Sequence, residues 1–330
     1  MPEKECLYYE VKDGRLLCRL CGHRCVLADG EVGRCHVRQR RGDTLIALTY
    51  GEITAVHLDP IEKKPLYHFH PGSYVLSLGS WGCNLRCDFC QNWTISQHRV
   101  PTRPLPPEKA LQLAQSAQNN IGLAYTYNEP LIWYEYLIDT GRLVKQAGLK
   151  NVVVTNGYIE EEPLRELLPL LDAVNVDIKS MSDEFYQRLC GGRAIWARRT
   201  AEICAESAHV EITNLLIPGE NDSDDDIRAL VDWAAEKLGP YVPLHFSRYH
   251  PDYKMTAPPT PPGTLRRAYE IAREKLAFVY LGNILLDEGQ DTHCPSCGAV
   301  VVRRNGFSVS EANLQDGRCA RCGAGVHVVT

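Results

Sequence analysis

Between residues 72 and 291, short apolar runs alternate with longer stretches whose apolar residues recur every three or four positions. The runs are Tyr74–Leu78, Gly122–Tyr127, Val152–Thr155, Ala173–Ile178, Val210–Ile217, Leu244–Tyr249 and Phe278–Ile284. The amphipathic stretches are Pro107–Asn119, Leu131–Gln146, Glu161–Leu171, Asp183–Ser207, Asp224–Leu238 and Thr264–Lys275. Runs of four to eight residues, apolar throughout, suit strands buried on both faces, and the longer periodic stretches suit helices. Their alternation predicts an α/β domain of parallel strands with crossover helices. The number of units predicts a partial or complete (β/α) barrel, whose functional residues gather where strands end and loops begin. A doubly wound open sheet is the alternative.

Outside this region the pattern changes. Residues 1–71 are rich in Gly and charge and show little periodicity, and residues 292–330 are bracketed by two Cys-x-x-Cys pairs. Both read as small Cys-rich appendages, the second like a zinc ribbon. The chain of 330 residues has a net charge of -5, which gives no reason to expect nucleic acid or an acidic membrane surface as partner. No run of about 18 uncharged apolar residues is present, and Met1–Glu10 has no apolar signal core, so a cytoplasmic protein with no membrane partner is expected.

Cysteine changes the picture most. The 14 cysteines fall into three tight groups, with Cys6, Cys190 and Cys204 left over and read as buried free thiols. Close spacing within each group suits metal binding better than a disulfide framework. The central group is Cys83-x3-Cys87-x2-Cys90, with Phe89 before the last cysteine, directly after the first predicted strand. Three thiolates can wrap one [4Fe–4S] cubane and leave one iron open to an external ligand, whereas most clusters take four cysteines. The alternatives are a zinc site completed by His98 or three buried thiols.

The C-terminal group, Cys294, Cys297, Cys319 and Cys322, forms two Cys-x-x-Cys-Gly knuckles and predicts a closed, structural zinc site. The N-terminal group, Cys18, Cys21, Cys25 and Cys35, has His23 and His36 nearby and reads as zinc, with a second Fe–S cluster or reduced thiols as alternatives. Lys63, Lys64, His68 and His70 either shape an active-site mouth or belong to a solvated loop.

Cys-x3-Cys-x2-aromatic-Cys after a first strand resembles the radical S-adenosylmethionine (SAM) superfamily. Three runs narrow the likeness: Asp59-Pro-Ile-Glu-Lys-Lys-Pro-Leu-Tyr-His-Phe69, Cys90-Gln-Asn-Trp93 and Tyr125-Thr-Tyr-Asn-Glu-Pro130. They resemble the AmmeMemoRadiSam system radical SAM enzymes, relatives of pyruvate formate-lyase activating enzymes. The resemblance implies an oxidoreductase that binds SAM at the open iron of the Cys83, Cys87 and Cys90 cluster and cleaves it to a 5′-deoxyadenosyl radical. It implies hydrogen abstraction from a protein partner or a small molecule, an external electron donor of flavodoxin or ferredoxin type, and association with Memo-type and AMMECR-type proteins. It also implies that Asn128 and Glu129 accept the SAM ammonium, that Thr155, Asn156, Asp177 and Lys179 line the SAM site, and that His250 lies beside the adenosyl group. Val154 stands where some relatives have a cation-binding aspartate, so no cation site is expected. The rival from another class is a zinc-dependent scaffold in which all three cysteine groups are structural.

Overall fold

The computed structural model describes residues 3–330; Met1 and Pro2, at the start of the predicted Cys-rich region, lie outside it. Its centre is an eight-stranded sheet. In chain order the strands are β1 (Ala55–Pro60), β2 (Tyr74–Gly79), β3 (Asn120–Tyr125), β4 (Lys150–Thr155), β5 (Ala173–Asp177), β6 (His209–Leu216), β7 (Leu244–Arg248) and β8 (Val279–Gly282). They lie side by side in that same order, with β2 to β8 parallel and β1 antiparallel to β2. A ladder without reversal of strand order is the winding of a (β/α) barrel and not of a doubly wound sheet. The ladder runs from β1 to β8 as an open arc.

The predicted runs coincide with these strands to within one or two residues because their apolar side chains are buried on both faces; Val152, Val153, Ala173, Val174 and Val176 have almost no exposure. The crossover helices are α1 (Pro107–Ser116), α2 (Tyr134–Gln146), α3 (Glu161–Leu167), α4 (Ala194–Cys204), α5 (Asp224–Lys237) and α6 (Pro262–Arg273). Their ends carry familiar signals. Pro107 and Pro262 open α1 and α6, where no amide partner is lost. Ser223 caps α5 by accepting from the Asp226 amide at 3.1 Å.

Two expectations are corrected. Asp183–Ser207 is not one helix. A short turn and a wide π-type turn end at Cys190, Gly191 is left-handed at φ 68°, and α4 begins only at Ala194. The Gly191-Gly192 pair breaks the helix, and a Cβ on Gly192 would lie 2.6 Å from Leu85. Strand β1 was not anticipated, because an edge strand that is half exposed shows no continuous apolar run. It carries part of the region 1–71 into the central sheet.

The open side of the arc is filled by the segment after β1 and by the C-terminal ribbon, whose antiparallel strands are Thr292–His293, Val300–Asn305 and Ser308–Ala312. Tyr67 packs with Phe278, Tyr280, Val301, Val326 and Val328 in one apolar cluster. Arg304 donates to the Tyr67 carbonyl at 2.7 Å and lies over the Tyr67 ring. Near the start of β6, the fully buried Glu211 carboxylate accepts from the amides of Tyr67 and His68 at 3.0 and 2.7 Å. It also meets His209 and His245 at 2.9 and 2.6 Å. Burial pushes its carboxyl up, but the His209 and His245 imidazoles prevail and hold it well below the usual range. Contrary to both readings, His68 is buried in this plug, 2.6 Å from the Tyr280 hydroxyl, and half-buried His70 donates its amide to the Val329 carbonyl at 2.7 Å.

Glu211→Ala would leave two buried amides and two imidazoles unpartnered. It should destabilise the fold by roughly 3–5 kcal/mol in denaturant unfolding. Because Glu211 lies at the opposite end of the strands from the cysteine triad, the spectroscopic signature of any group on the triad should not change.

Candidate active site

The C-terminal ends of the parallel strands surround a cavity of about 570 Å³. Its walls include Cys83, Cys87, Phe89, Cys90, Asn128, Glu129, Thr155, Asn156, Asp177 and Lys179. All the expected site residues except His250 thus meet in one place, from loops that follow β2, β3, β4 and β5. His250 stands at the rim, exposed, with its Nδ1 3.1 Å from the Gln91 amide nitrogen.

The cysteine loop begins where β2 ends. Gly82 adopts φ 88°, and a Cβ there would sit 2.6 Å from the Cys35 carbonyl oxygen, so the turn admits only glycine. Asn128 braces this turn from both ends of its amide: Oδ1 accepts from the Ser80 amide at 3.0 Å and Nδ2 donates to the Gly82 carbonyl at 3.0 Å. The far side of the loop is held by the unpredicted helix break. The amides of Arg86 and Asp88 donate to the carbonyls of Cys190 and Leu189 at 2.8 and 2.9 Å. Asn84 donates to the Tyr158 carbonyl at 2.7 Å.

The sulfurs have distinct surroundings. Cys83 lies 3.5 Å from the Asn156 amide nitrogen, and burial pushes its thiol up. Cys90 lies 3.2 Å from the Ser96 hydroxyl. The Cys190 thiol bonds to Cys87 and, with the Lys179 ammonium near, holds the Cys87 thiol below its ordinary range against burial. Cys190 was read as an inert buried thiol. Nothing local in its sequence marks it, since only the break at Gly191 brings it to the loop.

Glu129 is buried in the cavity wall, at 2% exposure. Its carboxylate accepts from Thr155 Oγ1 at 2.6 Å, the Leu131 amide at 2.9 Å and the Asn156 amide at 2.8 Å. Those donors favour the anion, yet burial outweighs them and lifts the carboxyl to about 7. Opposite, Lys179 Nζ lies 3.2 Å from Asp177 Oδ2 and 6.0 Å from the Phe89 ring centre. Burial opposes its charge, but Asp177 and Cys87 prevail and raise its pKa well above the ordinary value. Two further walls complete it: Lys64, which bears out the active-site-mouth reading for the Lys63-Lys64 pair, and Phe307, which was missed. Lys64 is buried, donates to Asp59 at 2.7 Å and lies over the Tyr127 ring. Phe307, at the tip of the ribbon hairpin, reaches the cavity from a distant part of the chain.

The donor set of the triad suits an iron–sulfur cluster better than one ion. No three of the triad and its neighbouring His, Asp and Glu ligand atoms lie within 4.8 Å of one another. At the C-terminus the situation is reversed. The sulfurs of Cys294, Cys297, Cys319 and Cys322 all lie within 4.8 Å, with 3.6 Å between Cys294 and Cys322 and 3.8 Å between Cys297 and Cys319. A tetrahedron of thiolates about 2.3 Å from one metal ion has edges of about 3.8 Å. Among the described residues, no helix is long and apolar enough to cross a membrane.

Residues 80–234 match the Radical SAM superfamily. Over 335 residues the chain is 41% identical to the uncharacterized protein MJ0808 of Methanocaldococcus jannaschii, covering 99% of each chain. It is 27% identical over 179 residues to pyruvate formate-lyase 1-activating enzyme of Escherichia coli strain K12, covering 51% of this chain and 71% of that one. It is also 27% identical over 189 residues to pyruvate formate-lyase-activating enzyme of Clostridium pasteurianum, covering 53% and 79%. With the matched segment spanning the cysteine loop and strands β3 to β6, the chain belongs to the radical SAM superfamily and is a homologue of the pyruvate formate-lyase activating enzymes.

Proposed function

We propose that this chain binds a [4Fe–4S] cluster on Cys83, Cys87 and Cys90 and SAM in the adjoining cavity, and uses them to abstract hydrogen from a substrate. The observation that carries this reading is the convergence of three thiols, the buried Glu129 carboxylate and the Lys179 ammonium on a single cavity at the strand ends. When bound, the reduced cluster would supply one electron to the sulfonium C–S bond of SAM, whose cleavage gives methionine and a 5′-deoxyadenosyl radical.

The chain's own residues place and shield this chemistry. Glu129 offers carboxylate to the SAM ammonium, on a backbone fixed by Thr155 and Asn156. Lys179, oriented by Asp177, offers an ammonium to the SAM carboxylate. Asn128 acts through the loop: both ends of its amide hold the turn before Cys83. Phe89, Leu215 and Phe307 add apolar wall that keeps water from a radical. The long runs at residues 59–69 and 125–130 support assignment to the AmmeMemoRadiSam system, with Memo-type and AMMECR-type proteins as functional company. The substrate is then a protein, as for an activating enzyme, or a small molecule. The C-terminal thiolates hold zinc, which folds the ribbon and so fixes Phe307 over the cavity. The scaffold alternative has no use for a cavity lined by Glu129 and Lys179.

The reconstituted protein, reduced without oxygen, should convert SAM slowly to 5′-deoxyadenosine and methionine, and a correct substrate should accelerate it. Methylthioadenosine as the product would overturn the hydrogen-abstraction reading. Cys87→Ala should lose the broad visible absorption of the cluster and all SAM cleavage, whereas Cys294→Ala should keep the absorption, release about one zinc and melt lower.

Glu129→Gln and Lys179→Ala should retain the cluster yet bind SAM roughly ten-fold more weakly or worse, for a lost charge-assisted bond of about 1.5–3 kcal/mol. Unchanged affinity in both, by equilibrium binding, would defeat the pocket.

The Glu129 carboxyl also gives a pH signature in the absence of SAM. Its folded value, about 7, lies above the ordinary 4.5. The native state therefore holds a proton that the unfolded state has lost between those values, and stability falls as pH rises through that window. Glu129→Gln has no such slope. Relative to the parent protein it should gain stability between pH 5 and pH 8, by at most about 3 kcal/mol in denaturant titrations.

A further inference from the structure

We infer that Cys18, Cys21, Cys25 and Cys35 hold a second iron–sulfur cluster of the cubane type, placed to pass electrons to the cluster on the triad. The sequence left zinc and a second cluster open at this quartet, and the geometry chooses between them. Four thiolates around one zinc ion stand about 3.8 Å apart, as the C-terminal sulfurs do. The N-terminal sulfurs do not: no three of them lie within 4.8 Å of one another. Thiolates bound to different irons of a cubane stand farther apart than those sharing one ion. The same wide spacing is found at the Cys83, Cys87 and Cys90 triad.

The quartet is nonetheless gathered into one site. Cys18, Cys21 and Cys35 are buried and Cys25 is half buried. A Cβ on Gly33 would lie 3.7 Å from Cys25 Sγ and 3.8 Å from Cys35 Sγ, so this one residue lies against both sulfurs. The Arg34 amide lies 3.4 Å from Cys25 Sγ. Arg38 lies beside Cys18 and Cys35 with about 1% exposure. One guanidinium nitrogen pairs with Glu135 at 2.9 Å, while Nε and Nη1 have no partner among the described residues. Buried N–H donors without acceptors are costly. A cluster carrying four thiolates and sulfides is anionic and supplies acceptors of the right sign.

The quartet also presses against the inner site. The Cys35 carbonyl is the atom that Gly82 must avoid, one residue before Cys83. Cys35 and Val37 share an apolar cluster with Trp81 and Ile132. His23 Nε2 lies 2.7 Å from the Asn84 carbonyl, and Arg34 donates to the Gly191 carbonyl at 3.1 Å. Thus two residues that flank Cys83, and the glycine that follows Cys190, are all touched by the quartet's own loop. A flavodoxin- or ferredoxin-type donor would deliver one electron to the outer cluster, and one electron would pass inward. This role, though not the site itself, rests on the radical SAM reading.

Metal counting on the protein with Cys83, Cys87 and Cys90 all changed to Ala, prepared without oxygen, tests the site. It should retain about four irons and four sulfides, with about one zinc from the ribbon. About two zincs without iron, iron without sulfide, or an empty quartet would each overturn the proposal. The intact protein gives a check that does not depend on that variant folding: about eight irons per chain are expected, and about four would overturn it. Equal iron in the intact and triad-free proteins would show instead that the triad is not a cluster site. Electron paramagnetic resonance of the dithionite-reduced intact protein tests the relay. Two signals should broaden one another, with only one shifting when SAM is added, and the broadening should vanish in the triad-free variant. Two sharp, non-interacting signals would overturn the electron route.

Discussion

The turn that leaves β2 at Gly79 and reaches Cys90 is the constraint on which the remaining structure depends. It must present three sulfurs to one side while paying out its backbone polar groups to the other, because buried amides and carbonyls cannot be left bare. It has no helix or ladder of its own to do so. Its partners therefore come from elsewhere: the Asn128 side chain after β3, the Tyr158 carbonyl after β4, and the carbonyls of Leu189 and Cys190 after β5. Successive strands of the arc thus each lend one group to the same loop. The sequential strand order makes this possible, since it brings the ends of β2 to β5 to adjacent positions.

That arrangement couples the cofactor site to the pocket beside it. Asn156 touches Cys83 through its amide nitrogen and Glu129 through its backbone, so the position of one thiol and of the buried carboxylate are set by a single residue. Lys179 lies near Cys87 while pairing with Asp177. Charges of both signs in a site with little water interact strongly and hold one another in place. The cavity thereby presents charges of both signs, fixed by their protein partners.

Much of this was legible in the sequence, for a physical reason. Parallel strands buried on both faces must be apolar throughout, so β2 to β8 announced themselves, while the residues named at their ends came from the family resemblance. Features set by contacts between distant segments did not announce themselves. Strand β1 is half exposed and owes its existence to pairing with β2. Cys190 looks like any buried thiol until the Gly191 turn lays it against Cys87. Asn128 reads as a ligand from the family resemblance, and its second task, bracing the cysteine turn with both ends of its amide, had no sequence signal. Lys64 sits in a polar run and is nevertheless buried, because Asp59 and Tyr127 wait for it across the sheet edge.

The two Cys-rich appendages are joined to opposite ends of the domain, and their different sulfur spacings fit different tasks. The ribbon closes the arc near β8, where Tyr67, Glu211 and Arg304 form a dense plug, and a rigid four-thiolate knot suits that mechanical role. A closed tetrahedral site with no redox chemistry can fix Phe307 over the cavity without interfering with a radical. The N-terminal quartet instead abuts the backbone that carries Cys83. A group there shares buried surface with the inner site, so any change in its charge is felt by the triad through a low dielectric. With zinc in the ribbon and a cluster at the quartet, as proposed above, each appendage's position follows from its chemistry.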